Sequence, residues 1–464
     1  MNRKTDFYQL CDRLSVGAIA VFALECVLGS SGRWLSFGSI SIRMVLFAIC
    51  FVLTLPAVFR QLRALTRTPC VIFALLFGAY LVIAAVIGFR RGNALHFIKS
   101  DVTTYMALAL LPGFLATVCT ENRLKFMSDT VFYGTFALGL ITTFMHFFFA
   151  FSGDWQIYTI NNWLNDHSLG GLATMATGLQ RIYMRSQIFL QVGLLLGLQK
   201  IWCEKGGKRW LLIAAEAIIA YGCLMTYTRG FWLGFVLSAC FLLVLYPKQW
   251  KRYLSTLGLT AVLLVGLFLL SWLSYGKPVA AVEIVNRFDP DLINGAVFLP
   301  NASGDPSDST ATEETTEPTD PDADLLAVQV RKETLRLINL KIGQHPVFGN
   351  GLGTSLDEIR QDGNVEYTYL GVLMELGIVG LLLFCSVFFL PLVPLIKHRI
   401  RWLTEGREIP WDSPQMRCTA LLAAYLGVAF TSWLNPFLTN PMGILLVLLI
   451  TTASQQEQTL IKKS

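Results

Sequence analysis

The chain has 464 residues, of which 54% are hydrophobic, 12% aromatic and only 15% charged, with a formal net charge of +6. Soluble domains carry about 25% charged residues, so this composition excludes an ordinary soluble protein and points to a membrane one. The small basic surplus does not call for nucleic acid as a partner, because lysine and arginine beside membrane spans have a topological explanation.

Apolar runs follow one another along the chain, most of them about 17–25 residues long, the length a helix needs to cross the hydrocarbon core. Met1 to Arg13 is polar and basic, and Leu14–Leu28 reads as a first span acting as a signal anchor, with no cleavable signal peptide. Further spans are predicted at Ile40–Phe59, Cys70–Phe89, Val102–Cys119, Asp129–Phe151, Ile182–Trp202, Leu211–Thr228, Phe231–Tyr246 and Leu254–Tyr275. After a long polar interruption they resume at Tyr369–Leu390, Cys418–Leu434 and Met442–Thr452. The expected fold is an all-α polytopic membrane protein of about twelve transmembrane helices, with one large extracytoplasmic loop between spans nine and ten. Spans 1–9 occupy residues 1–275, the loop residues 276–366, and spans 10–12 residues 367–464.

The loop divides by composition. Asn301 to Asp324 is acidic, of low complexity and without bulky apolar residues, so it is expected to be disordered. From about 325 to 342, Val328, Val330, Leu335, Leu337, Ile338 and Leu340 recur as on an amphipathic helix lying against the membrane surface or the bundle. Of the ten cysteines, Cys26, Cys50, Cys223, Cys240 and Cys385 fall inside apolar runs, the loop has none, and neither CxxC nor HExxH occurs. No disulfide framework or metal site is expected.

Lysines and arginines gather in alternate connecting segments: Arg3, Lys4 and Arg13; Arg60, Arg63 and Arg67; Arg123 and Lys125; Lys200 to Arg209; Lys248 to Arg252; Lys397 to Arg407; Lys462 and Lys463. That set belongs to the cytoplasm, which puts both termini inside and the large loop outside.

Arginines on the other face then stand out. Arg181 and Arg185 are expected one helical turn apart where span six begins, Arg229 in a tight turn between spans seven and eight, Arg331 early in the amphipathic helix, and Arg90, Arg91 and Lys99 after span three. Helix N-termini beside Arg181, Arg185 and Arg229 would favour an anion, phosphate above all. The competing account of each arginine is snorkelling to the interface, and it is weakest for Arg229, which has almost no loop. Among the histidines, His146 lies in an aromatic run and reads as packed, and His398 as solvated. His345 precedes a Gly-rich turn and is a further candidate, with a helix-stop role as its alternative. Of the carboxylates Asp357, Glu358, Asp362 and Glu366, the last sits at membrane entry, where partial desolvation suits a general base; simple helix-start charge complementarity explains it equally well.

Three stretches are similar to the O-antigen ligase and O-antigen (Wzy-type) polymerase superfamily of bacterial membrane glycosyltransferases. They are Arg331 followed by HPVFGNGLG at 345–353, YLGVLMELGIVG at 369–380, and TRGFWLG at 228–234. The resemblance implies a multi-pass protein of the bacterial cytoplasmic membrane acting on glycans carried by undecaprenyl diphosphate. It implies donor and acceptor lipid-linked oligosaccharides, membrane lipids, and flippase and chain-length regulator proteins as partners, with no cofactor. Arg181, Arg185, Arg229 and Arg331 would hold the diphosphate, and Arg229 and Glu366 would be catalytic. Ligases of the family carry histidine where this chain has Glu366, which turns the expectation toward a polymerase, with a ligase next and a lipid-linked glycan flippase or transporter as the reading from another class.

Overall fold

A computed structural model of the protein describes residues 3–38, 40–175, 177–288, 322–356, 367–407, 410 and 412–461. Helix dominates. In chain order the helices are α1 (Arg3–Leu28), α2 (Ile42–Arg60), α3 (Leu62–Leu65), α4 (Pro69–Arg90), α5 (Leu95–Tyr105), α6 (Leu111–Val118), α7 (Glu121–Phe149), α8 (Asp154–Asp166), α9 (Ile188–Cys203), α10 (Gly207–Met225), α11 (Arg229–Leu245), α12 (Trp250–Tyr275), α13 (Val279–Phe288), α14 (Asp322–Gln344), α15 (Thr368–Phe389), α16 (Leu392–Thr404), α17 (Pro414–Thr431) and α18 (Pro441–Ile461). Among the described residues the strands are two antiparallel pairs, β1 (Ser36–Phe37) with β2 (Ile40–Ser41), and β3 (Gly170–Thr174) with β4 (Gln180–Met184).

Among the described residues, seven helical stretches are long and apolar enough to cross a membrane: α2, α4, the α5–α6 stretch, α7, α12, α15 and α18. Two more apolar helices, α9 and α11, are shorter. The periphery is inverted relative to a soluble protein. In α12, Tyr253, Thr256, Thr260 and Ser271 are buried while Val262, Val265, Leu269 and Leu273 are exposed. Polar groups inside and aliphatic groups outside is the arrangement a helix adopts in lipid, where exposed apolar surface costs nothing. The centre holds α9, buried at nearly every position and packed by α7, α10, α11 and α17, with α18 similarly enclosed beside α17, α16 and α6.

The structure departs from the sequence expectations at several places. Span six does not start at Ile182: residues 180–184 form β4, and helix begins only at Ile188. The physical reason is a period of two, with Ile182 and Met184 buried and Arg181, Tyr183 and Arg185 on the opposite face, paired to β3 from Gly170↔Met184 to Thr174↔Gln180. The stretch expected at Val102–Cys119 begins earlier, at Leu95, and passes through a 3-10 turn at Met106–Leu110 before α6. The segment about 325–342 lies within α14, whose first residues are the end of the tract expected to be disordered; the rest of that tract lies outside the described residues.

His398 is not solvated. Its Nδ1 bonds the Glu457 carboxylate and its Nε2 accepts from Trp402 Nε1 at 2.6 Å. Arg399, fully buried, donates to both oxygens of Glu457 at 2.8 and 2.7 Å, to Thr419 Oγ1 at 2.6 Å and to the Gln415 carbonyl at 2.8 Å. Removing one member of such a pair strands a charge in a low-dielectric site, so Glu457→Gln is expected to cost about 3–5 kcal/mol. The exposed Arg336–Glu333 pair is the control: water screens it, so Glu333→Gln should leave the unfolding temperature close to the parent's. Thermal unfolding of the detergent-purified variants checks this, and equal losses would refute it.

Candidate functional site

Helix α15 is broken at Gly377, whose φ of 64° and ψ of −172° are open to glycine alone. A break frees carbonyls before it and amides after it, and inside a membrane protein these must be satisfied by other protein groups. The turn at 345–353 does this. Asn350 N donates to Met374 O at 2.9 Å, Gly351 N to Glu375 O at 2.8 Å, and the Tyr80 hydroxyl of α4 to Leu376 O at 2.7 Å. Beyond the break, Ile378 N donates to Pro346 O at 2.9 Å and Val379 N to Val347 O at 3.2 Å. The turn is also tied to the end of α4, where Arg91 Nη1 donates to Gly349 O at 2.5 Å and Asn93 Nδ2 to Leu352 O at 2.9 Å. Finally, Gly353 N donates to Asp101 Oδ2 of α5 at 2.7 Å. One glycine-rich turn therefore locks α4, α5 and α15 together, and fixes the carboxylate of Asp101 and the backbone at Glu375.

Both carboxylates line a cavity of about 950 Å³. It forms where the C-terminal end of α1 meets the N-terminal parts of α2, α5, α9, α15 and α18. These are the helix ends expected at the outer face from the basic-residue pattern. Its charged lining comprises Arg33, Arg43, Arg185, Asp101 and Glu375, with His96, Tyr183, Gln187, Tyr367 and Asn440 nearby. Arg43 is already engaged: its Nε donates to Glu25 at 2.6 Å and its Nη2 to the Ser30 carbonyl at 2.7 Å, which anchors the loop that carries Arg33. The side chains of Arg33 and Arg185 have no hydrogen-bond or ion-pair partner among the described residues.

The expected site residues do not converge on one point. Arg185 lines the cavity. Arg181 shares its face of β4 but lies four residues away, about 13 Å along a strand. Its Nε donates to Thr226 O at 2.8 Å and its Nη2 to Thr228 Oγ1 at 3.2 Å, so it braces the α10–α11 turn. Burial, followed by the charge of Arg287, lowers its pKa from the usual value; Tyr183 opposes this and Arg331 adds to it. Arg229 is the first residue of α11, exposed and without a partner among the described residues. Arg331 is exposed on α14, within electrostatic reach of Arg181. The side chain of His345 is exposed, while its carbonyl accepts from Gly349 N at 2.9 Å, a turn-forming role. Glu366, with Asp357, Glu358 and Asp362, lies outside the described residues. His146 is packed, with Nε2 bonded to Ser271 Oγ at 2.9 Å and Tyr221 and Tyr275 against its ring.

Sequence reasoning passed over Arg33, Asp101 and Glu375. A signal existed for Glu375: a carboxylate inside an apolar span is a functional candidate by default.

A bundle of apolar helices with a charged, polar cavity at one end describes a multi-pass membrane protein. Residues 214–385 match the family described as O-antigen ligase, and all three motif stretches lie within that match. The match covers well under half of the chain; over that segment the protein is similar to the O-antigen ligase/polymerase superfamily, a family of glycosyltransferase-like enzymes. No curated protein matches the chain at a significant level.

Proposed function

We propose that the protein polymerises glycan repeat units carried on undecaprenyl diphosphate at the outer face of a bacterial cytoplasmic membrane. The observation that carries this is the cavity, with two arginines unpaired among the described residues and two carboxylates, in an apolar bundle whose residues 214–385 match O-antigen ligase. A sugar hydroxyl attacks the anomeric carbon of a second, carrier-linked glycan, and the carrier diphosphate leaves with the bonding electrons. Arg185 and Arg33 suit the growing negative charge on that diphosphate, since guanidinium groups hold phosphate oxygens bidentately. The N-terminal ends of α9 and α15 meet the cavity without a side-chain cap and add their positive dipole ends. Arg181 braces the turn from which Arg229 extends, and with Arg331 these form a second basic patch for the glycan-carrier phosphates outside the cavity. The diphosphate already supplies the activation, so no cofactor is required.

The attacking hydroxyl also needs a proton acceptor, for which Glu366 is the candidate from sequence, standing in place of the ligase histidine. That replacement favours a polymerase over a ligase. The test is purified protein in lipid vesicles with an undecaprenyl-diphosphate oligosaccharide. Longer carrier-linked glycans and released undecaprenyl diphosphate are expected from that substrate alone. Release only when a diphosphate-free lipid acceptor is added would identify a ligase. Transbilayer movement of the substrate without release would replace the transferase reading with a flippase.

A further inference from the structure

We propose that Glu375 is the group that takes the proton of the attacking sugar hydroxyl, with Asp101 as its positioning partner. This rests on the glycan-transfer reading and assigns the base to Glu375 in place of the sequence candidate Glu366. Three observations carry it.

The first is isolation. Glu375 lines the cavity, and among the described residues its carboxylate has neither a hydrogen bond nor an ion pair. A carboxylate enclosed by an apolar bundle is costly unless a donor meets it. The cavity arginines do not supply one: Arg43 is engaged by Glu25, and neither Arg33 nor Arg185 lies within ion-pair distance of Glu375 or Asp101. A hydroxyl of a bound sugar is the donor such a group fits.

The second is rigidity. Glu375 sits two residues before the break in α15, and its carbonyl accepts from Gly351 N at 2.8 Å. Asp101, within electrostatic reach of Glu375, accepts from Gly353 N of the same turn at 2.7 Å. The carboxylate of Asp101 and the backbone that carries Glu375 are therefore held on one frame, the preorganisation that proton transfer in a transition state needs. Asp101 acts through this frame, by holding the turn and α15 against α5.

The third is an orphan acceptor. Gln187 also lines the cavity, and its Oε1 is buried without a hydrogen-bond partner. Buried amide oxygens are rarely left so, and a second sugar hydroxyl would satisfy it. The cavity then offers acceptors for hydroxyls as well as cations for a diphosphate, the two ends that a glycosyl transfer brings together. In the step itself, the hydroxyl O–H bond breaks and the proton passes to Glu375. The oxygen lone pair forms the new bond to the anomeric carbon, and the carbon–oxygen bond to the diphosphate breaks with its electrons going to the leaving group, which Arg185 faces.

The test uses the full chain in vesicles with the undecaprenyl-diphosphate oligosaccharide. Glu375→Gln is expected to lower transfer about 100-fold or more, the size of a lost general base, while the affinity for the carrier-linked donor stays within about twofold (a factor of two is near 0.4 kcal/mol). Glu375→Ala is expected to recover part of its rate on adding formate, which a structural role would not allow. Asp101→Asn is expected to lower the rate less than Glu375→Gln does. Transfer by a folded Glu375→Gln protein near the parent rate, or a loss unmoved by formate in Glu375→Ala and matched by lost donor binding, overturns the assignment alone. A parent protein that releases no undecaprenyl diphosphate overturns the glycan-transfer reading and the assignment with it.

Discussion

Gly377→Ala and Gly349→Ala are each expected to leave little folded protein. A Cβ at Gly377 would lie 2.3 Å from Val347 O and 2.4 Å from Gly349 N, and one at Gly349 would lie 2.2 Å from Glu375 O. These neighbours are backbone atoms already engaged in hydrogen bonds, so they cannot step aside without unmaking them. Both glycines have positive φ, 64° and 72°, where a side chain adds about 1–3 kcal/mol of strain. Separating the turn from the break would also strand amides and carbonyls inside the bundle, at about 1–3 kcal/mol for each group left unpaired. Together these approach the whole stability of a typical fold, about 5–15 kcal/mol. Gly258 and Gly266 of α12 are the controls. A Cβ at either meets nothing within 4 Å, and alanine in a helix interior is favoured over glycine by about 0.5–1 kcal/mol. Size-exclusion profiles and thermal unfolding in detergent should separate the two pairs, and a monodisperse Gly377→Ala protein with the parent's unfolding temperature would show that the turn does not hold the break.

Arg185→Ala is expected to lower transfer about 100- to 1,000-fold, the cost of removing one preorganised donor from a developing oxyanion. The fold should survive, because the side chain is exposed to the cavity and bonds nothing described. Arg185→Lys keeps the charge without the planar fork, so its activity should fall between alanine and the parent. Arg229→Ala then reads the reach of the substrate. A loss as large as that of Arg185→Ala would mean that bound substrate extends from the cavity to the α10–α11 turn, and a small one would confine the chemistry to the cavity. Full activity of Arg185→Ala at normal protein level would remove the cavity's cationic wall from the reaction.

Much of the helical framework was legible because lipid imposes a simple rule. A spanning segment must satisfy its backbone internally and be apolar for about 20 residues, and both properties can be read from the chain. The motifs of the glycan-transfer superfamily were legible too, and they fall within the matched segment 214–385. The segment 180–184 shows where that reading stops. Arginines four apart suit one turn of helix or alternate positions of a strand equally well. The choice of strand depends on pairing with 170–174, which only the folded chain supplies. His398 gave no local sign of burial, because Glu457, its partner, belongs to a helix that packs against α16 only in three dimensions.

The sequence by itself determined a helical membrane protein, its apolar segments and the motifs it shares with a known superfamily, since hydrophobicity, length and short glycine-rich turns are properties of neighbouring residues. The tertiary structure alone decided which charges meet. Asp101 and Glu375 come from distant segments and share a cavity because the turn at 345–353 spends its amides on the break in α15 and on Asp101. Arg185 joins them on that cavity's wall, while Arg181, on the same strand face, is drawn away to the Thr226–Thr228 turn. The physical reason is that buried charges and freed backbone groups must find partners, and those partners are set by packing between helices far apart in the chain.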